Sequence, residues 1–237
     1  IGGSAGRSSA TAQGGYYVVK AACEKEGISL KDATFCIHGF GNAGSYAASI
    51  FAAEGCKIIG IADSRTAVYD PKGLDVELAQ KVKAETGSLK AYPGGKQITP
   101  DELLTSECDI LVPASLEGVI NEKNAAQIKA KMIAELGNGP ITPEADAALT
   151  ARKIPILPDI LTNAGGVTVS YFEWVQNRMG YYWSAEEVAE KLETAMTKAY
   201  DDIYQFKKEH NCEDYRVAAF AIAIQRIVQA MKDRGWL

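Results

Sequence analysis

Six consecutive residues, Gly39-Phe40-Gly41-Asn42-Ala43-Gly44, have the spacing G-x-G-x-x-G. That spacing cradles phosphate when it links a strand to a helix. Here a β-branched run (33–38) precedes it and a helical pattern follows. Gly39 permits the tight turn, Gly41 lets a pyrophosphate approach the backbone, and Gly44 lets helix and strand pack closely. The helix start then offers free N–H groups and the positive end of its dipole to the phosphates. Such a site needs an acidic residue about 20 positions on, at the end of the next strand. Asp63 stands there. Its carboxylate can accept both ribose hydroxyls and would repel a 2′-phosphate, which favours NAD over NADP. Ser64 and Arg65 follow at once and suit a 2′-phosphate, so NADP stays open.

A second set of residues lies in "ILPDILTNAGGVTVSYFEW" (156–174). A strand ends at Pro158, and then come Asn163, Gly165–Gly166 and a run carrying Thr168, Ser170 and Glu173. "AELGNGPITPEAD" (134–146) repeats the plan with Gly137-Asn138-Gly139. Ligands of open α/β sheets bind at the carboxyl ends of strands. Asn163 and the Gly165–Gly166 backbone are therefore expected to face the same crevice as the phosphate turn. Taken singly, each stretch also fits an ordinary loop.

These residues must be positioned by a regular scaffold. Short apolar strands are predicted at 33–38, 56–63, 108–114, 131–136 and 153–158, alternating with helical patterns. Residues 16–26 are helical in pattern. A helix follows the Pro71–Gly73 turn through about Lys83, and a short one starts at Pro100 behind the N-cap Thr99. "NEKNAAQI" and the stretch behind Thr142-Pro143 both carry helix-start chemistry, whereas 87–97 is loop-like. The expected fold is α/β: a Rossmann-like, doubly wound, mostly parallel sheet with additional C-terminal helices. One dinucleotide-binding domain spans 1–237, with 184–237 as its C-terminal helical segment. Within that segment 184–209 forms one long helix with the stripe Val188, Leu192, Ala195, Ala199, Ile203 and Phe206. A last helix, 215–233, is apolar nearly all round. It is expected to be buried on more than one side, in this core or against another domain or subunit.

Composition narrows the classes. The 237 residues are 47% hydrophobic and 23% charged, with net charge -5. The acidic balance argues against nucleic acid or an anionic membrane surface. No apolar run spans a bilayer, and nothing resembles a signal peptide. Five scattered cysteines (23, 36, 56, 108, 212) fit reduced, buried thiols of a cytoplasmic protein. No Cys/His cluster has metal-ligand spacing, so no metal is expected.

In chain order, "GGSAGRSSAT", "GFGNAG", "GNGPITPEAD", "NAGGVTVSYFEW" and the closing "RIVQAMKDRGW" resemble the coenzyme-binding domain of glutamate dehydrogenases. These belong to the Glu/Leu/Phe/Val dehydrogenase family, and the resemblance covers essentially the whole chain. "GPITPEAD" and Ser170 point to its glutamate branch. The resemblance implies Gly39, Gly41, Asn42, Ala43 and Gly44 at the pyrophosphate, and Asp63 with Ser64 at the adenosine ribose. It implies Ala114 and Ser115 beside the cofactor, Asn138 and Asn163 at the nicotinamide ribose, and Arg7 and Thr11 near the nicotinamide amide. Val167 and Ser170 would line the substrate pocket, Ser170 donating to the side-chain carboxylate of glutamate. Two positions depart from the family pattern: Ala12 replaces a glycine, and His38 stands where glutamine is common.

The implied activity is oxidative deamination of L-glutamate to 2-oxoglutarate and ammonium. The family's catalytic lysine and aspartate lie in an amino-terminal substrate domain, which no segment here resembles. No residue of this chain is therefore assigned a catalytic role. The chain alone is expected to bind cofactor and lack catalysis, and the intact enzyme to be a homo-hexamer. "IGGSAGRSSAT" (1–11) would be an interior hinge that brings Arg7 and Thr11 to the cleft. Two alternatives remain: a stand-alone nucleotide-binding or regulatory module, and a related amino-acid dehydrogenase.

Overall fold

A computed structural model describes residues 2–237; Ile1, the first residue of the expected hinge, lies outside them. The chain forms α1 (Ala10–Glu26), β1 (Thr34–His38), α2 (Asn42–Ala53), β2 (Lys57–Ala62), β3 (Ala67–Tyr69) and α3 (Val76–Thr86). It continues through β4 (Lys96–Ile98), α4 (Pro100–Leu104), β5 (Ile110–Pro113), β6 (Met132–Ala134), α5 (Pro143–Ala151) and β7 (Ile156–Leu157). Four helices close it: α6 (Asp159–Thr162), α7 (Gly165–Met179), α8 (Ala185–Glu209) and α9 (Tyr215–Asp233).

The seven strands form one sheet in the order β4-β3-β2-β1-β5-β6-β7. Pairings from β2 across to β7 are parallel, whereas β2–β3 and β3–β4 are antiparallel. Strand β1 and strand β5 are buried on nearly every residue, as a parallel sheet covered on both faces requires. One face packs Phe35, Ile37 and Val112 in a core shared with α1 and α2, where Phe51 of α2 stacks on Phe35 and α8 lies against α1. The other packs Cys36, Leu111 and Ile133 against Leu103, Leu104 and Leu149 of α4 and α5. From β1 the chain first moves outward to β2 and later returns to β5 on the opposite side. The β1–β5 boundary is therefore the topological switch point, where such sheets open a crevice.

Capping chemistry places helices as expected at Thr99 and Thr142, and Ser184 caps α8 as well; each side chain accepts a first-turn N–H. Several features differ from the sequence reading. Strands β3 and β4 form an antiparallel edge, and β4 draws on the loop-like 87–97 stretch. Three-residue, partly exposed strands carry too little periodicity to register. "NEKNAAQI" supplies only a single 3-10 turn, at Ala125–Gln127. Helix α1 begins at Ala10 rather than 16, because Gly14 and Gly15 are packing positions and not breakers. An added Cβ on Gly14 would lie 2.6 Å from Gly165 Cα, and one on Gly15 would lie 2.9 Å from Leu136. The buried stripe of α8 runs through Met196 and Tyr200, leaving Ala195, Ala199 and Phe206 half-buried.

Helix α9 is buried on one side alone. Tyr215, Ala218 and Ala219 are covered, but Val217, Phe220, Ile224 and Ile227 are 49–60% exposed. The expected burial on several sides is not met among the described residues, where α9 packs mainly on α8, with further contacts to β7 and α6. All five cysteines are free; four are buried and Cys212 is half-buried. No helix among the described residues is long and apolar enough to cross a membrane. No group of three or more His, Cys, Asp or Glu among them is placed to hold a metal ion.

Candidate dinucleotide-binding site

The three glycines of the β1–α2 turn differ in what surrounds them. Gly39 has φ +112°, and an added Cβ would lie 2.7 Å from the Ala114 carbonyl. At Gly44 an added Cβ would strike the Gly39 carbonyl oxygen. These two are locked by the backbone of β1, β5 and the turn itself. Gly41 has an extended backbone, and nothing lies within 4 Å of its Cβ position. It therefore leaves an open approach to the α2 N-terminus. That terminus has no side-chain cap and no acidic residue in its first turn. Its N–H groups are the ones a helix cannot satisfy internally. The cradle fits a pyrophosphate: an anion gains unpaired donors and the helix dipole, and meets no side chain at Gly41. Asn42, exposed at the helix start, donates to the Ser8 carbonyl at 3.2 Å, and Ala43 is half-buried beside it.

The strand ends bring the other expected residues alongside. Ala114 N–H bonds the His38 carbonyl at 2.8 Å, so Ala114 and Ser115 adjoin the glycine turn. Gly137 packs against the Ser115 carbonyl, where an added Cβ would sit at 2.7 Å. Asn163 donates to Gly137 O at 3.3 Å and to Asn138 Oδ1 at 2.7 Å. Asn138 and Asn163 are thus one hydrogen-bonded pair at the end of β6 and β7. The Gly165–Gly166 backbone does not line the crevice. Both glycines are buried in the first turn of α7, where Gly165 meets Ala10 and Gly14 of α1 and an added Cβ on Gly166 would lie 2.6 Å from Thr11 Oγ1.

The segment before α1 straps onto α7. Gly3 N–H bonds Asn177 and Gln176 bonds Ser4. Arg7 Nε donates to Ser170 Oγ at 2.8 Å, so these two expected site residues meet directly. Ser170 in turn donates to the Gly166 carbonyl at 3.0 Å. Its hydroxyl hydrogen must rotate away from the helix before it can serve a substrate carboxylate. Val167, one turn from Arg7's contact, is 69% exposed.

The profile of the Glutamate/Leucine/Phenylalanine/Valine dehydrogenase family matches residues 2–235. The chain belongs to this family. It is 45% identical over 238 aligned positions to the cryptic catabolic NAD-specific glutamate dehydrogenase GudB of Bacillus subtilis (strain 168), covering 100% of this chain and 55% of that protein. The chain thus spans about half the length of that relative. Its structure is similar to a hetero-hexameric glutamate dehydrogenase from Thermus thermophilus, with TM-score 0.93 and 33% identity over 98% of this chain and 55% of the other. It is also similar to glutamate dehydrogenase from Peptoniphilus asaccharolyticus, with TM-score 0.86 and 38% identity over 100% of this chain and 56% of the other.

Within this dehydrogenase frame Asp63 has a different role from the one expected. Its side chain is 2% exposed. Oδ1 accepts the N–H groups of Arg65 and Thr66 at 2.8 and 2.9 Å, and Oδ2 accepts Leu89 N–H at 2.7 Å. Lys83 Nζ lies 3.6 Å away. Burial alone would raise its pKa, but these donors and Lys83 outweigh burial and hold it below the usual aspartate value. The carboxylate is consumed in closing its own loop and has no free face for ribose hydroxyls. Ser64 and Arg65 are the exposed residues at this corner.

The two departures from the dehydrogenase pattern are both buried. Ala12 lies at an interior gap among Val19, Phe51, Val112 and Leu136, where its methyl adds packing. His38 bonds Ser115 Oγ through Nδ1 at 2.8 Å, whereas its Nε2 has no partner. Burial lowers its pKa and keeps the ring neutral. In the Nδ1-protonated tautomer the ring donates to Ser115 Oγ and leaves only a lone pair unpaired at Nε2; in the other tautomer Ser115 donates to the ring and an N–H is left unpaired.

Sequence reasoning missed Arg216. Its guanidinium pairs with Glu135, Asp146 and Asp159 beneath the Asn138 loop. The available signal was a lone arginine two residues behind the cap Asp214, in a helix otherwise apolar for two turns.

Proposed function

We propose that this chain is the dinucleotide-binding part of an NAD-dependent glutamate dehydrogenase, which oxidatively deaminates L-glutamate to 2-oxoglutarate and ammonium. The observation that carries this is the open, uncapped Gly41–α2 cradle at the switch point of a chain from this dehydrogenase family. When bound, the cofactor supplies hydride acceptance at its nicotinamide. The chain's own residues bind and orient it. Gly39, Gly41, Asn42, Ala43 and Gly44 form the pyrophosphate cradle, with Ala114 and Ser115 at its side. Asn138 and Asn163 take the nicotinamide ribose, while Arg7 and Thr11 approach the amide. Val167 and Ser170 border the substrate. Glutamate and ammonium chemistry needs acid–base groups that none of these positions supplies, so the chain alone binds dinucleotide without oxidising glutamate. The intact enzyme assembles as a hexamer, in keeping with the similar Thermus thermophilus protein. The free thiols support a cytoplasmic location.

NADP is the second reading for the cofactor. It is favoured by one observation: Asp63 is saturated, so its charge opposes a 2′-phosphate weakly, whereas Arg65 is exposed beside it.

Isothermal titration with NADH and NADPH tests the reading. NADH binding is expected in the wild type and is expected to vanish in Gly41→Val. Because Gly41 has space and an extended backbone, that variant should fold. Undiminished binding in folded Gly41→Val would sink the site assignment.

A further inference from the structure

Arg216, the second residue of α9, binds three carboxylates from three elements. Nη2 lies 2.8 Å from Glu135 behind β6, Nε 2.7 Å from Asp146 on α5, and Nη1 3.3 Å from Asp159 at the start of α6. Glu135 is fully buried, and its other oxygen accepts Asp159 N–H at 2.7 Å. Asp159 Oδ2 accepts Gly139 N–H at 2.8 Å. Gly139, in the left-handed region at φ +54°, closes the loop that carries Asn138. Two hydrogen bonds therefore connect the guanidinium to that loop, and the Asn138–Asn163 pair completes it.

We propose that Arg216 is a positioning residue for the nicotinamide end of the site and has no part in the adenosine–pyrophosphate end. The inference rests on the dinucleotide reading above. Its physical basis is charge. Three carboxylates share one guanidinium, whose planar fork reaches all of them at once. Without it the three acids face one another with no cation. Asp159 is the most exposed of them, at 24% of its side chain against 0% and 12% for the others. Its rotation into solvent is the cheapest relief. That rotation releases Gly139 N–H and unfastens the Asn138 loop. The Gly39–Gly44 turn is held by its own backbone and by Ala114, and none of those contacts passes through Arg216.

The test is titration of the 237-residue chain with NAD and with ADP, which carries the adenosine and pyrophosphate but no second ribose. In Arg216→Met, NAD affinity should fall about tenfold, the equivalent of one good hydrogen-bonding contact, while ADP affinity changes by less than about twofold. Arg216→Lys keeps a cation without the fork and should recover part of the loss. Asp159→Ala leaves Arg216 with Glu135 and Asp146 but removes the clamp on Gly139. It should reproduce the selective loss of NAD even if Arg216→Met does not fold. Unchanged NAD binding in Asp159→Ala overturns the proposal, and so does an equal loss of NAD and ADP. A wild type that binds ADP but gains nothing from the nicotinamide half overturns it as well. A wild type that binds neither brings down the dinucleotide reading with it.

Discussion

The two ends of the crevice are built by opposite means. The end proposed for the pyrophosphate is six consecutive residues whose shape is set by missing side chains at Gly39 and Gly44. The end proposed for the nicotinamide is assembled from β6, β7, α1, α6, α7 and α9, and hydrogen bonds between distant residues hold it. One end is shaped by a backbone that leaves no room for side chains. The other is held by charges and amides paired across elements. The first should fail through sterics and be indifferent to charge, and the second should fail through loss of its charge pairs as well as through its interhelix packing.

The largest expected effect lies in the glycine turn. Gly44→Ala forces a Cβ into the Gly39 carbonyl, and Gly39→Ala adds a left-handed backbone strain to a clash with Ala114. Each should cost more than about 3 kcal/mol in chemical unfolding. Gly41→Val should cost less than about 1 kcal/mol by the same measurement, because its surroundings are open. Equal stability of Gly44→Ala and wild type would erase the steric half of the comparison.

Next comes the α1–α7 contact behind the nicotinamide end. Gly165→Ala places a Cβ against the Ala10 carbonyl and 2.9 Å from Gly14 Cα. Overpacking of this kind should cost about 1–3 kcal/mol and separate Arg7 from Ser170. Denaturant titration reads the first effect, and the chemical shift of the Arg7 Nε–H reads the second.

A smaller effect is expected from Asp63, and it depends on pH. Its folded pKa is depressed, so it stabilises the fold above the unfolded-state aspartate value and loses that contribution as pH falls through the lower folded value. The stability gap between wild type and Asp63→Asn should be widest near neutrality and close in acid below the ordinary aspartate range. A gap that stays constant with pH would mean that the carboxylate's charge plays no part. The smallest effect is at Arg65, where Arg65→Ala should weaken NADPH a few-fold and leave NADH within about twofold. Equal effects on both cofactors would remove Arg65 from any contact with a 2′-phosphate.

The sequence was informative where structure is local. Strand β1, the glycine turn, the start of α2 and the caps at Thr99 and Thr142 all follow from neighbouring residues, and all form as expected. It misled where a residue type has two uses. Gly165 and Gly166 suggested crevice backbone, and Gly14 and Gly15 fell outside the expected helix 16–26, yet each marks a close approach within or onto a helix, which only tertiary packing defines. Asp63 occupied the position of a ribose acceptor, but Leu89, 26 residues on, takes its second oxygen. The Arg216 cluster draws partners from 57 to 81 residues away, and no local pattern encodes it. The apolar face of α9 was correctly apolar, but its burial depended on neighbours that this chain does not place there.

One measurement bears most directly on the claim that these two unlike ends form a single site: a crystal structure of this chain with NAD. The pyrophosphate is expected over Gly41 against the N–H groups of Asn42 and Ala43, and the second ribose at Asn138 and Asn163. A dinucleotide bound elsewhere, or one whose nicotinamide half lies away from the Asn138–Asn163 pair, would contradict it.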